Sequence, residues 1–487
     1  MQQRVLPRVL RALKTTTGAL VFAVMTVLAG CQASQNALNE VASSAASSAD
    51  LAITNVTVID AASGARAHHN VLITGDRIIA ITPASTAANA SQTIDGTGKF
   101  LIPGLWDMHV HITYEPELTE AMPELFLSWG ITSVRDTGGL LPAMLPEVKK
   151  WRAPGAQAPR IFFSGPLLDG GTVVYNGDAV PEIGTANATP TSARANIAKL
   201  KAAGVDFVKT YELVTPEVFR ALVSAAREAN LPIASHVPLM MTAREAGPMV
   251  DSMEHLRNIE LDCSADTAAL LEARSEQILN PGDTPGITLR GGIHADQRPK
   301  ALGSLDDAQC NAVIAALRDT IQVPTLRLNT SALYQPFDRS DWQDAIKRLP
   351  AERQEHWLTQ SAEWAKRRPS LPTANGEFSL QMVGKLHAAG VPIGAGTDTP
   401  IGSALPGYSL HTELERLVEA GLSELGALAS ATVQPANFVR KSATMGAIAP
   451  GYVADLVLLD ENPLDDIRNT RRINTVISKG ATVWQNN

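Results

Sequence analysis

Two histidines, His109 and His111, close the apolar run LIPGLWDMHVH. Side chains on a strand repeat every two residues, so both imidazoles leave the same face. Alone, a His-x-His pair is a weak signal, because solvated histidines at a polar strand end read the same way. Three more groups of matching chemistry close other apolar runs: His236 in LPIASHV, His255 in DSMEHL and Asp398 in VPIGAGTD. Five nitrogen or oxygen donors meeting at one mouth suit a borderline divalent ion such as zinc.

Lys209, in the run DFVKTY, bears on how many ions such a centre holds. An ammonium about 4 Å from a divalent ion is repelled by roughly 8 kcal/mol at an effective dielectric of about 20. Shedding the proton at neutral pH costs only about 4 to 5 kcal/mol. The neutral amine can then add carbon dioxide and become a carbamate, whose two oxygens can bridge two metals. The alternatives are a lysine that snorkels out of the fold or one paired with a carboxylate.

The elements that must position these groups are apolar runs followed by Ala- and Leu-rich helical stretches. They are 101–111, 131–136, 160–165, 206–211, 231–237, 251–256, 321–326 and 391–398. Eight strands separated by helices imply right-handed parallel crossovers, and eight such units close into a (β/α)8 TIM-like barrel with its chemistry at the strands' C-terminal ends. The expected barrel spans 101–440. Its excess length lies mainly in an insertion at about 257–320, whose Pro/Gly-rich stretch NPGDTPGITLRGG reads as a flap over the mouth.

On either side the rhythm changes. Residues 51–100 alternate short β-type runs with turns, and 441–487 repeat the style in ADLVLLD and NTVISKGATVW. Period-two patterns broken by Gly and Asp indicate antiparallel sheet. Each end is too small to stand alone, so the two are expected to meet in one composite β-sandwich.

The 487 residues carry 41 Lys plus Arg against 49 Asp plus Glu, a formal charge of -8, with 45% apolar side chains. That composition supports a large core and, with no basic block, excludes a nucleic-acid binder. Residues 1–31 read as a signal segment: Arg4, Arg8, Arg11 and Lys14 precede the apolar run 19–28 and then Ala29, Gly30 and Cys31. Ten apolar residues fall short of the roughly 20 that span a bilayer. Leu28-Ala29-Gly30-Cys31 resembles a bacterial lipobox, which makes Cys31 the expected lipidation site and membrane contact a matter of that anchor only. Residues 32–50 are a low-complexity tether. The location expected is the periplasm, on the outer membrane. Cys263 and Cys310 either pair there or are two unrelated buried thiols.

The stretches VTVID, DRIIAI, KFLIPGLWDMHVH, ITSVRDTGG, VDFVKTY, LPIASHVP, SMEHL, VPIGAGTD, SLHTELERLVEAG, ATVQPA and MGAIAPGYVADLVLLDENPL jointly resemble the amidohydrolase superfamily. Within it they resemble the imidazolonepropionase-like and Xaa-Pro dipeptidase-like branch. The resemblance covers nearly everything after residue 51. It implies a centre of two divalent ions, with zinc the expected metal, held by His109, His111, a carboxylated Lys209, His236, His255 and Asp398. One departure stands out: many relatives have Gly-Gly-His after the third strand, whereas this chain reads DGGTVVYNG at 169–177, so substrate contacts made there do not carry over.

Two divalent ions bridged by the carbamate and a shared water would lower that water's pKa to about 7. Asp398 would take the water's proton and deliver it to the leaving nitrogen, unless it merely caps its strand end. Tyr211 shares the face of Lys209 and is either an oxyanion donor or barrel packing. Arg135 either holds a substrate carboxylate or sits in a structural ion pair. The activity expected is zinc-dependent hydrolysis of dipeptides or N-acyl amino acids. The alternatives are a cyclic-amide or lactone hydrolase and a lipid-anchored binding protein without turnover. A deaminase would want one metal, no lysine ligand and a Glu shortly after His236, where this chain has SHVPLMMT. Of the other histidines, His411 is expected to make a helix-start hydrogen bond and His387 to lie on the barrel's outside. His68, His69, His294 and His356 are expected in turns or the flap, solvated.

Overall fold

The computed structural model describes residues 48–486 except 335, 336 and 338. The signal segment, Cys31 and nearly all of the tether lie outside the described residues. Alternating apolar residues draw the first fifty described positions into β1 (Ala49–Asp60), β2 (Gly64–Thr74), β3 (Arg77–Pro83), β4 (Ala90–Asp95) and β5 (Phe100–Pro103). Nine short strands follow: β6 (Leu105–Val110), β7 (Ile131–Asp136), β8 (Arg160–Phe163), β9 (Leu167–Asp169), β10 (Gly184–Ala186), β11 (Val208–Thr210), β12 (Ile233–Ser235), β13 (Ser252–Glu254) and β14 (Ile321–Val323). The chain ends in β15 (Leu456–Leu459), β16 (Ile473–Ser478) and β17 (Ala481–Gln485).

The two ends share one sheet of order β17-β16-β15-β5-β1-β2-β3, with β4 also on β1. Its central seam is the antiparallel ladder from Leu456↔Pro103 to Leu459↔Phe100. The pairing defines a single sheet, where two facing layers are expected, and it is not wholly antiparallel. The long β1 takes β4 along its first half and β5 along its second, both parallel to it. Arg77 bridges back to Val453, curling the sheet over Val56, Val58, Ile73, Leu101, Leu456 and Ile477, all buried.

The middle of the chain is α/β with parallel strands in two sheets, β6-β7-β8 and β10-β9-β11-β12-β13-β14. β9 and β10 are not legible in the sequence pattern. The eighth expected strand forms no ladder. It makes only the parallel bridges Gln322↔Ile393 and Val110↔Thr399, which link β14 to β6. Glycine explains the irregularity: a Cβ on Gly396 would come 2.8 Å from His109 Cβ and 3.0 Å from its backbone nitrogen. Only a bare backbone can pass so close. Between β8 and β11 the link is a pair of hydrogen bonds, Asp206 N to Phe163 O at 3.0 Å and Phe163 N to the Asp206 carboxylate at 2.9 Å.

Helices cover the strands. In Pro216–Glu228 the Thr215 side chain accepts from Val218 N, Pro216 opens the first turn, and Phe219, Leu222 and Ala226 are buried. The insertion expected as a flap is built of helices Ile259–Asp262, Thr267–Leu279, Gly286–Gly303 and Asp307–Ala316. Cys263 and Cys310 are disulfide-bonded across it. Gly286 starts its helix hard against the 169–177 loop, where a Cβ would sit 2.3 Å from Val173 O. Among the described residues no helix is long and apolar enough to cross a membrane.

Candidate metal centre

Each of the four strand-end histidines is held through Nδ1. His109 Nδ1 lies 2.7 Å from Glu254 Oε2, His111 Nδ1 3.0 Å from Gly138 O, and His236 Nδ1 2.7 Å from Glu212 Oε1. His255 Nδ1 lies 2.5 Å from Thr325 Oγ1, which itself donates to Pro324 O and so accepts from the ring. A ring that donates Nδ1–H outward keeps its Nε2 lone pair for a ligand, the tautomer that metal-binding histidines use. Burial holds His236 and His255 well below the usual imidazole range, in the neutral form that ligates.

Donor atoms of His109, His236 and His255 lie within 4.8 Å of one another, as do those of His109, His111 and Asp398. The Nε2 atoms of His109 and His111 are each 3.2 Å from Asp398 Oδ1. Asp398 and His255 have φ of 63° and 59°, the left-handed region that non-glycine residues occupy at a cost of order 1 kcal/mol. Bonds from Asp398 N to His109 O (2.7 Å) and from His255 N to Val323 O (2.8 Å) impose it.

Lys209 is fully buried, which removes the snorkelling alternative. Its Nζ has no hydrogen-bond partner among the described residues, and the nearest carboxylate oxygen, Glu254 Oε1, is 4.0 Å away. Burial brings its pKa down to about 7 despite Glu254. Asp398 Oδ1 is likewise buried without a hydrogen bond. Four imidazole nitrogens, an orphaned carboxylate oxygen and an orphaned amine on one cleft fit divalent cations, which would satisfy all of them.

The cleft, of about 150 Å³, is also lined by Tyr175, Tyr211, Arg257 and Arg290. Tyr211 lies 4.4 Å from the His236 ring and 5.8 Å from that of Tyr175, measured between centroids. Arg135 does not line it. The structural ion pair is what Arg135 makes, with NH2 2.7 Å from Glu254 Oε1, NH1 2.8 Å from Ser252 Oγ and Nε on Met108 O. Its fork is spent inside the strand layer, so the substrate-carboxylate role is set aside.

His294 is the clearest correction. Expected in solvent, it is buried with Nε2 2.5 Å from Glu212 Oε2. The insertion is helical there, and Arg290 and His294, four residues apart, share one face. Glu212 gathers Arg290 at 2.9 Å, Arg257 at 3.3 Å and both His236 and His294. Burial would raise its carboxyl, but the charges of Arg290 and Arg257 and the hydrogen bond with His236 hold it well below the usual range. His294 falls to about 4 through burial and is neutral. His68 and His69 lie on β2 rather than in a turn, and His356 is exposed on helix Ala351–Arg367. His411 is buried away from the cleft, between Thr470 Oγ1 and Trp129 O.

Glu212, Glu254, Arg257, Arg290 and Tyr175 are not singled out by the sequence pattern. A signal exists for the carboxylates: each buried imidazole ligand needs an acceptor for its second nitrogen. Asp169 opens DGGTVVYNG by accepting from Gly170 N, Val174 N and Leu213 N, which folds that loop and brings Tyr175 to the cleft.

The amidohydrolase family model matches residues 361–483. A solved Xaa-Pro dipeptidase with bound methionine superposes with a TM-score of 0.63 at 20% identity, covering 90% of this chain and 100% of that one. Ochratoxinase of Aspergillus niger gives a TM-score of 0.61 at 18% identity, over 90% and 96%. The resemblance to the amidohydrolase superfamily is borne out. In sequence, curated relatives match over short stretches. Adenine deaminase of Serratia proteamaculans is 36% identical over 85 residues, 18% of this chain and 14% of that protein. The Aspergillus niger ochratoxinase is 39% identical over 82 residues, 16% of each. The aligned stretches thus span less than a fifth of these two relatives, and the two structural likenesses, at 18% and 20% identity, speak for the fold.

Proposed function

We propose that the protein is a metal-dependent amidohydrolase that cleaves the amide bond of dipeptides or N-acyl amino acids. The observation that carries the reading is the pairing, on one small cleft, of four Nδ1-anchored histidines, Asp398 and a buried Lys209 amine with no hydrogen bond among the described residues, with a cationic wall of Arg257 and Arg290. In this reading His109, His111 and Asp398 would hold one divalent ion, His236 and His255 would hold a second, and Lys209, once carboxylated, would supply a further anionic ligand. The nitrogen-rich donor set favours zinc. Bound there, the ions supply an acidified water and a polarised carbonyl.

The chain's own groups do the rest. Asp398 accepts the water's proton at its carboxylate and returns it to the leaving nitrogen. Tyr211 donates its O–H to the oxygen that gains charge as the carbonyl becomes tetrahedral. Arg257 and Arg290 together carry two positive charges against the single Glu212 carboxylate, with His294 neutral. The unbalanced charge orients the carboxylate that a dipeptide or N-acyl amino acid carries beyond its amide.

We also propose that residues 101–440 close as a (β/α)8 barrel, with 51–100 and 441–487 making its companion sandwich. The bridges on both sides of the 391–399 run and the Asp206–Phe163 pair support closure. Export, lipidation of Cys31 and a periplasmic location belong to the same proposal, supported by the order of basic, apolar and lipobox residues in 1–31. Labelling with a fatty-acid probe, lost in Cys31→Ser, tests that part.

The activity is tested with protein stripped by chelator, reloaded with zinc in bicarbonate and given a library of dipeptides and N-acyl amino acids. Metal-dependent release of free amino acids is expected. Adenine deamination without any amide cleavage would overturn the proposal.

A further inference from the structure

A second cavity, of about 550 Å³, adjoins the histidine-lined cleft of about 150 Å³. The two share Leu328, and the loop after the eighth run lines both, with Ile401 facing the cleft and Gly402 and Ser403 the cavity. This partition is a built feature. The Glu413 carboxylate accepts from Leu326 N and Arg327 N at 2.9 and 2.7 Å, fixing the turn that carries Leu328. Arg327 donates to Ile401 O at 2.9 Å, tying that turn to the loop.

Beyond the partition the walls are aromatic. Trp342 and Trp364 line the cavity, with Thr359 from the same helix as Trp364. Two of the cations that reach it are already matched: Arg339 lies on Glu415 at 2.7 Å, and Arg416 pairs with Glu419 while lying over the Tyr334 ring. Trp342 is only 1% exposed, yet its indole N–H has no acceptor among the described residues. That nitrogen is sealed off, so what the cavity offers a ligand is aromatic wall, which suits a group that is itself flat and aromatic.

Position decides which part of a substrate this is. Arg257 and Arg290 gather on Glu212, just past β11, whereas Leu328 comes after β14 and Ile401 after the next run in the ring. A substrate whose carboxylate lies on the arginines therefore directs its acyl side toward Leu328. We propose that the cavity is an acyl-group subsite for a bulky aromatic acyl chain. This rests on the amide-hydrolase reading above, and it assigns to that reading N-aroyl amino acids rather than small dipeptides as the favoured class.

The test compares the zinc-loaded protein with its Thr359→Trp variant, in which a ring enters the cavity from an exposed helix position. The substrates are N-(2-naphthoyl)alanine and N-acetylalanine, and binding of 2-naphthoate and acetate is measured alongside by calorimetry. The wild type is expected to favour the naphthoyl substrate in kcat/KM and 2-naphthoate in binding, each by about tenfold or more, with most of that preference lost in the variant. Equal handling of the two acyl groups by the wild type, or a preference that Thr359→Trp leaves intact, overturns the subsite. Retained selectivity in binding with neither substrate cleaved would overturn the amide-hydrolase reading and leave the subsite standing.

Discussion

His109 and Arg135 never touch, yet Glu254 joins them: one carboxylate oxygen lies 2.7 Å from His109 Nδ1 and the other 2.7 Å from the Arg135 guanidinium. All three are buried. The carboxylate fixes the imidazole tautomer, and the arginine keeps that carboxylate ionised.

Glu254→Gln should therefore weaken zinc binding by about 10- to 100-fold, the usual cost of losing a ligand's outer hydrogen-bond partner. It also strands Arg135, which should lower unfolding stability by about 3 kcal/mol. Metal titration and urea denaturation read the two effects separately. A variant with native metal affinity would mean that Glu254 serves only the ion pair.

Lys209→Ala should lose the second ion while retaining the first, measured as metal content per chain after dialysis. Added short carboxylic acids should restore part of the lost occupancy by taking the carbamate's place. Unchanged stoichiometry would remove the bridging role.

Much of this site is legible in the sequence because its donors end apolar runs, and His, Lys and Asp in such places have few other uses. The outer partners are hidden for physical reasons. Glu212 and Glu254 stand next to residues whose side chains carry the obvious chemistry, and a period-two pattern assigns neighbours to the opposite face. The strands end at Thr210 and Glu254, so that alternation no longer governs the residues beyond them. Arg290 and His294 are masked by the prolines and glycines of NPGDTPGITLRGG, which hide the helical period of the helix that Gly286 begins. The eighth run keeps its apolar pattern but not its ladder, because glycine there serves close approach to His109 rather than strand pairing.

Arg290→Met should reduce kcat/KM for substrates bearing a free carboxylate by about 100-fold and do far less to their C-terminal amides. Steady-state kinetics on matched acid and amide pairs measures this. Equal losses on both would assign Arg290 to holding Glu212 and not to substrate.

Replacing Cys263 and Cys310 together by Ser removes a cross-link between residues 47 apart in sequence. A loss of about 2 to 4 kcal/mol in unfolding free energy is expected from the freed chain entropy. Denaturant titration under non-reducing conditions checks it, and an unchanged midpoint would show that the insertion's helices hold themselves together.

The most direct measurement is anomalous diffraction at the zinc edge from crystals of the metal-loaded protein. Two peaks are predicted, one among His109, His111 and Asp398 and one beside His236 and His255, with extra density on Lys209 Nζ between them. No peak in this cleft, or ions bound only elsewhere on the chain, would contradict a binuclear centre built on these residues.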